Sequence, residues 1–244
     1  RTILVDDLTG SALITSIVAM GFAPSMLILS LFGGVAGDRL ERRMVIQASQ
    51  AMNAMLVLVI AILIAAGLIH WWHLLVASVF QGASFAFQMP ARQAIIPKLV
   101  GEDRITKALA LNAAGMGIMT IIAPAVAGGL YGKYGPEAVY FVVAGAGALA
   151  VLMTGMILKV PPEPREKAES VIKDISMGVR YMASNRILML LMLSGLSSAL
   201  IAMPFRNLIP IFARRMYDSD ASEIGWLMAT MGVGGLLATV IIAN

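Results

Sequence analysis

The chain has 244 residues, of which 59% are hydrophobic and 13% are charged, and its mean hydropathy is +0.85. Soluble domains carry about 25% charged residues, so this composition excludes a water-soluble globule and predicts a polytopic membrane protein. Zero cysteines exclude disulfides and thiolate metal sites. The net charge of +4 forms no basic face on a soluble fold, which argues against a nucleic-acid partner.

Long apolar stretches follow one another along the chain, and a membrane-spanning helix needs roughly 20 apolar residues. Residues 2–5 are predicted to be the last turn of a first helix, closed by Asp6 and Asp7. Pro24 is expected to kink the second helix. The later prolines are expected to end the fourth helix and to break the seventh. The complete helices are predicted at 12–36, 44–68, 74–91, 108–131, 138–158 and 187–212, and another begins near 224.

The fold class is therefore predicted to be all-α, with about seven transmembrane helices and the end of another. The chain starts without Met and stops inside an apolar run, so we expect a fragment of a longer protein. The expected organisation is an N-terminal transmembrane half at 1–158, a linker at 159–185, and the start of a second half at 186–244. In the linker, Ile172, Ile175, Val179 and Met182 recur at helical spacing and predict a surface helix on the membrane interface.

Lysine and arginine are concentrated in alternate loops, at 39–43, 92–107 and 159–186. The positive-inside bias therefore places these loops in the cytoplasm and the protein in the inner or plasma membrane, with the lipid bilayer as a partner. His70 and His73 flank two tryptophans, which is typical of a headgroup belt. A metal between the two histidines is the alternative that we do not favour. No phosphate loop is present, which argues against direct use of ATP.

A charged cluster lies between the second and third predicted helices. Its pattern is G-x-x-x-D-R-x-x-R-R, formed by Gly34, Asp38, Arg39, Arg42 and Arg43. This pattern resembles the loop between the second and third helices of the major facilitator superfamily, although Glu41 stands where that family usually has Gly. The segment 81–97 resembles a narrower branch, the siderophore (enterobactin) exporters and macrolide-type efflux proteins, and Leu8–Ser11 fits that branch too.

The resemblance implies a secondary active exporter that works by alternating access, without a cofactor. Its expected substrate is a siderophore or an amphiphilic drug-like small molecule, and the proton is the expected coupling ion. The alternatives are a lysophospholipid flippase of a related family and a non-transporting membrane sensor or enzyme.

The resemblance also implies a conformational latch in the charged cluster. Asp38 would neutralise a helix N-terminus of the second half, and Arg42 would pair with a carboxylate there. The alternative is that these charges only set topology. Arg92 could join this latch or could anchor its helix to lipid phosphate.

Other polar residues fall within or beside the apolar stretches. Asp6 and Asp7 could bind coupling protons or could be solvated. Arg206 could face an anionic or catecholate substrate or could snorkel to the interface. Antiporter branches of the family often carry an Arg just before a Gln-Gly pair in the fourth helix; here Ser78 takes that place before Gln81-Gly82. The amides could line a substrate cavity or bond between helices; they are Asn53, Gln81, Gln88 and Asn112.

Overall fold

A computed structural model gives the fold of the chain. It describes the backbone of residues 1–157, 177 and 180–243. Within this range, the side chains of residues 31, 34–39, 102, 195, 196, 198–207 and 238–243 lie outside the description. Most of the predicted 159–185 linker is likewise outside the described residues; the described positions 177 and 180–184 are helical.

The described backbone is helical and contains no strand, so the predicted all-α fold is confirmed. A short 3-10 turn, Glu102–Arg104, separates two of the helices. The α-helices in chain order are α1 (Thr2–Thr9), α2 (Ala12–Met20), α3 (Phe22–Arg39), α4 (Arg42–Ala65), α5 (Trp71–Val100), α6 (Ile105–Gly155), α7 (Arg186–Tyr217) and α8 (Ala221–Ala243).

Two interruptions follow directly from glycine and proline. Gly21 separates α2 from α3 and lies three residues before Pro24. The ring of a proline clashes with the helical carbonyl four residues earlier, which here belongs to Met20. Gly135 adopts φ 84° and ψ 174° and divides α6 into a first arm at 105–134 and a second arm at 136–155. Only glycine adopts such a backbone conformation readily. These two breaks fall where the sequence predicts a kink and a turn.

The other prolines do not end helices, and these predictions were wrong. The fourth predicted helix, 74–91, extends as α5 through Pro90 and Pro97 to Val100. The backbone of α7 is likewise one helix across positions 204 and 210, so the predicted broken helix around Arg206 does not form. Proline is tolerated within membrane helices because neighbouring groups can satisfy the freed carbonyls.

The chain passes back and forth between two ends of the bundle. The junction of α3 and α4 lies at one end, here called the motif end. The second arm of α6 returns to it, since Arg43 Nη1 donates to the Ile157 carbonyl at 2.8 Å. The end of α1, the turn at Gly135 and the junction of α7 and α8 lie at the opposite end. Helix α5 packs on α3 and α4, while α6 packs on α4 with its second arm and on α8 with its first.

Small residues bring these helices into close contact. A Cβ on Gly33 of α3 would overlap the Ala86 carbonyl of α5, and a Cβ on Gly82 of α5 would overlap the Phe22 carbonyl. In the second arm of α6, a Cβ on Gly147 would lie 2.9 Å from the Cβ of Ala54 in α4. Glycine is therefore required at each crossing, as in other membrane helix pairs.

Large apolar side chains cover much of the exterior. Leu13, Met55, Leu111 and Leu152 are each about two-thirds exposed or more. Within the described part of the chain, four segments are long and apolar enough to cross a membrane: Ala12–Ser30, Arg42–Ala65, Trp71–Val100 and Ile105–Gly155. An apolar exterior of this extent is suited to lipid rather than water.

Candidate functional site

Two aspartate–arginine pairs join the end of α1 to the end of α7. Arg215 Nη2 lies 2.7 Å from Asp6 Oδ1, and Arg214 Nη2 lies 2.6 Å from Asp7 Oδ1. Arg215 also donates to the Gly10 carbonyl at 2.8 Å. We call Asp6, Asp7, Arg214 and Arg215 the clasp, and the end of the bundle where they lie the clasp end. The clasp connects the first predicted half of the protein to the second.

The position of each clasp residue on its helix explains the pairing. Asp6 and Asp7 lie near the C-terminus of α1, where the helix dipole disfavours negative charge. Arg214 and Arg215 lie in the last turn of α7, where the dipole favours cations. The arginines of α7 therefore offset the unfavourable interaction between the aspartates and the C-terminal dipole of α1.

The two pairs differ in burial and in additional partners. The side chain of Asp6 is 10% exposed and that of Asp7 is 32% exposed. The Tyr131 hydroxyl of α6 donates to Asp7 Oδ2 at 2.5 Å, so Asp7 is held by two helices besides its own. Removing the partner of a buried charge costs more than removing that of an exposed one, so we expect Asp6 to be the more sensitive of the two carboxylates to loss of its arginine.

A close helix–helix crossing runs beside the clasp, between the first arm of α6 and α8. A Cβ on Gly128 would lie 2.8 Å from Gly225 Cα, and one on Gly225 would lie 2.6 Å from the Pro124 carbonyl. Deeper along the same pair, a Cβ on Gly232 would lie 2.9 Å from the Thr120 carbonyl. We call this crossing the seam. Among the described residues it is a further connection between the predicted halves, and its small residues allow close packing.

A cavity of about 200 Å³ opens between the clasp and the seam. Helices α1, α6, α7 and α8 all contribute to its wall, which is mostly apolar. Its polar lining residues are Arg1, Thr2, Tyr131 and Tyr140. None of the four predicted cavity amides lines it.

The guanidinium of Arg1 reaches from this cavity to α5. Its Nη1 donates to Ser78 Oγ at 2.9 Å, and its Nη2 bonds the Oε1 of Gln81. Ser78 is fully buried, and Gln81 is half-buried. Ser78 stands where the family resemblance leads one to expect an arginine, and the guanidinium that lies beside it comes from Arg1 at the start of α1, which the sequence does not indicate.

At the motif end, the described arginines contact backbone and amide oxygens. Arg42 is buried and its Nη1 lies 3.4 Å from the Ala94 carbonyl of α5. Arg43 bonds the Ile157 carbonyl, as described above. Arg92 Nη2 donates to Asn112 Oδ1 at 3.0 Å. The surroundings of Gly34 and the side chains of Asp38, Arg39 and Arg206 lie outside the described residues.

The predicted cavity amides are dispersed rather than gathered. Asn112 bonds Arg92, and Gln81 bonds Arg1. The Oδ1 atom of Asn53 is buried and has no hydrogen-bond partner in the described part of the chain. Gln88 is half-buried in α5. The structure thus brings one of the four, Gln81, into contact with a residue of the cavity wall.

His70 and His73 form a helix cap. The backbone N–H of His70 donates to His73 Nδ1 at 3.0 Å, and His70 is the N-cap of α5. This contact satisfies one of the unpaired donors at the helix start.

Comparisons with known proteins give the class. Residues 2–244 of the chain match a protein family within the major facilitator superfamily that is described as "Transmembrane secretion effector". Together with the helical fold, this match defines a multi-pass membrane protein of the transporter class. Within that class, the chain belongs to the transmembrane secretion effector family, which confirms the resemblance stated above.

Several proteins similar to the chain are named as efflux proteins or exporters. The chain is 25% identical to the macrolide efflux protein A of Enterococcus faecalis, over 93% of the chain and 72% of that protein. It is 27% identical to the multidrug efflux pump Tap of Mycolicibacterium fortuitum, over 97% of the chain and 60% of Tap. It is also 27% identical to the enterobactin exporter EntS of Shigella boydii, over 88% of the chain and 51% of EntS. The chain thus spans between half and three-quarters of these relatives.

Proposed function

We propose that the full-length protein is a secondary active exporter of an amphiphilic small molecule, either a siderophore or a drug-like compound. Family membership supports transport, and the names of the relatives support the direction and the substrate class. The observation that carries the mechanism is the clasp, because it joins the two predicted halves through pairs that can open and close.

The clasp and the latch are proposed to act at opposite faces of the membrane. By the positive-inside prediction, the motif end faces the cytoplasm and the clasp end faces outward. The paired clasp then corresponds to a state closed to the outside. The latch of Gly34, Asp38, Arg39, Arg42 and Arg43 would hold the alternate, outward-open state, with Arg92 supporting the same end.

Alternating access requires that the two sets of contacts exclude one another. Each transport cycle would break the Asp6–Arg215 and Asp7–Arg214 pairs while the motif end closes, and would re-form them when it opens. Motion of one half against the other about a central site is how many secondary transporters work. The seam would be the pivot, because its glycines allow backbone contact without side chains that interlock.

Asp6 and Asp7 are the proposed coupling residues. A proton that arrives from the outside would neutralise a clasp carboxylate and weaken its attraction to arginine. Proton entry would thereby favour opening of the clasp, which links the gradient to the conformational change.

Export is tested in an efflux-deficient bacterial strain that carries the full-length gene, with radiolabelled erythromycin as one probe and secreted enterobactin as another. Cells with the active protein should accumulate less erythromycin or release more enterobactin. Asp38→Asn should abolish that difference at unchanged protein level.

The matched control is Asp103→Asn, because Asp103 is an exposed carboxylate that is paired only with its neighbour Arg104 among the described residues. Equal activity of the wild type and the Asp38→Asn protein would refute the latch. Movement of labelled lysophospholipid without effect on either probe would favour the flippase. Chemical change of a probe by purified protein in detergent would favour an enzyme.

A further inference from the structure

We infer that Arg1, held by Ser78 and Gln81, is the binding determinant for an oxyanion on the transported molecule, so that the substrate class is amphiphilic organic anions. This inference deepens the proposed function and rests on it. It concerns the cavity between the clasp and the seam.

The charge balance of the cavity is the first argument. Arg1 is the one charged residue in the described wall, and none of the wall residues is an acid. The hydrogen-bond partners of Arg1 on α5, Ser78 and Gln81, are neutral acceptors. Tyr140, whose hydroxyl also interacts with this guanidinium, is neutral as well. The clasp carboxylates are already engaged by Arg214 and Arg215. The guanidinium therefore keeps an uncompensated positive charge at a site accessible from the cavity.

The depth of the site is the second argument. Ser78 lies seven residues after Trp71, the start of α5, which places the Arg1 guanidinium about 10 Å below the clasp end at 1.5 Å per residue. Charged side chains at such depth are costly, and they are retained mainly where they face a cavity or a pathway. Arg1 meets this condition, because it lines the cavity.

The shape of the wall is the third argument. Two tyrosine rings, Tyr131 and Tyr140, line the cavity together with Pro124, Pro210 and Met228. A space of about 200 Å³ exceeds the roughly 150 Å³ that holds a benzene molecule in a protein interior. An aromatic ring that carries a carboxylate or another oxyanion matches this combination, because arginine binds planar oxyanions through two parallel hydrogen bonds.

Ser78 and Gln81 act as positioning residues in this site. Together they occupy one edge of the guanidinium and hold it towards the cavity, so that less side-chain entropy is lost when an anion binds.

The test uses the purified full-length transporter and two probes with one apolar body and opposite charge, 4-hexylbenzoate and 4-hexyl-N,N,N-trimethylanilinium. Affinities are measured by calorimetry in detergent. Arg1→Gln should weaken the binding of 4-hexylbenzoate about tenfold or more, since a hydrogen bond to a charged group is lost. The affinity of this variant for the trimethylanilinium should be equal to or higher than that of wild type.

Two further variants make the result specific. Arg1→Lys keeps the charge but loses the planar fork, so its affinity for 4-hexylbenzoate should lie between those of wild type and Arg1→Gln; this partial rescue also shows that the site still folds. Arg104→Gln removes an exposed arginine far from the cavity and should change neither probe. The inference is overturned if Arg1→Gln leaves 4-hexylbenzoate unchanged or weakens both probes equally.

Uptake into energised proteoliposomes separates this inference from the proposed function. Arg1-dependent binding of 4-hexylbenzoate without transport of either probe would support the anion site and count against export. Transport of 4-hexylbenzoate at the same rate by wild type and Arg1→Gln would support export and overturn the anion site.

Discussion

The two ends of the bundle are held by different chemistry. At the clasp end, carboxylates of α1 pair with guanidiniums of α7, at N···O distances of 2.6 and 2.7 Å, across residues more than 200 positions apart. At the motif end, Arg42 and Arg43 bond backbone carbonyls of α5 and of the residue after α6. Both of these motif-end bonds lie within the first predicted half.

This difference shows which connections can be reversible. An ion pair between two helices can be broken by a proton or by competing water, because each partner remains satisfied once it is solvated. The described bonds of Arg42 and Arg43 reach carbonyls of their own half, so these bonds contribute to the rigidity of that half. The comparison therefore assigns gating to the clasp end in the described state and structural support to the described motif-end bonds.

The largest expected effect comes from crowding the seam. Gly128→Val places side-chain atoms where a Cβ alone would lie 2.5 Å from the Ala221 carbonyl and 2.8 Å from Gly225 Cα. Overpacking of this kind costs up to about 3 kcal/mol, so we expect unfolding in mixed micelles to occur at a lower denaturant concentration and export to be lost. Gly129→Val is the matched control, because nothing lies within 4 Å of a Cβ at Gly129. Equal effects of the two substitutions would show that the seam is not a close contact.

The second effect separates the two clasp pairs. Asp6→Asn removes the charge from the less exposed carboxylate and leaves Arg215 with a neutral partner. We expect a loss of about 2 kcal/mol from the closed state, between the values for exposed and buried pairs, and a fall in export of about tenfold. Accessibility of a cysteine introduced at Ala213, which is buried next to Arg214, to a membrane-impermeant reagent should rise, because the clasp opens.

The charge-exchanged protein tests whether the pair itself is responsible. Asp6→Arg combined with Arg215→Asp should restore more than half of the export that either single change removes. Asp218→Asn is the control at the same end, because Asp218 is an exposed residue whose positive φ of 54° suits Asn. Failure of the exchange to restore export would indicate that the two residues act independently.

Much of the helical map follows from the sequence, and the reason is physical. The bilayer requires each span to be long and apolar, so the spans appear as uninterrupted runs between charged loops. The prediction that Pro90 and Pro97 end the helix was wrong, because the rule that proline ends a helix is derived from water-exposed helices. In the bundle, α5 packs against α3 and α4 and continues past both prolines.

The candidate site was predicted less completely than the fold. Asp6 and Asp7 stood out as acids beside an apolar run, but nothing in the sequence pairs them with Arg214 and Arg215. In the sequence those arginines look like ordinary charged loop residues, because an ion pair between distant residues leaves no periodic pattern in the sequence. The position of Arg1 is a similar case. The sequence shows Ser78 where an arginine is expected, but it does not show that Arg1 contacts Ser78.

A smaller effect is expected at the motif end. Arg43→Gln removes the bond from Nη1 to the Ile157 carbonyl, and hydrogen bonds to charged groups contribute about 1.5 kcal/mol or somewhat more. We expect unfolding to become easier by about that amount while the cysteine at Ala213 stays as inaccessible as in wild type. Opening of the clasp end in this variant would contradict the division between gating and structural support. Arg104→Gln again serves as the surface control.

The smallest effect concerns the packing of α4 on α6, far from both proposed switches. Thr154 Oγ1 donates to Gln50 Oε1 at 2.8 Å, and the Thr154 residue is 7% exposed. Interhelical hydrogen bonds in membrane proteins average about 0.6 kcal/mol, so Thr154→Val should lower the free energy of unfolding by that order and leave export within about twofold of wild type. Thr154→Ser is the control, because it keeps the hydroxyl that donates to Gln50. Because both helices belong to the first predicted half, this bond does not change when the halves move. A large loss of export from Thr154→Val without loss of stability would therefore show that the half bends internally during transport and is not the rigid unit on which the comparison of the two ends depends.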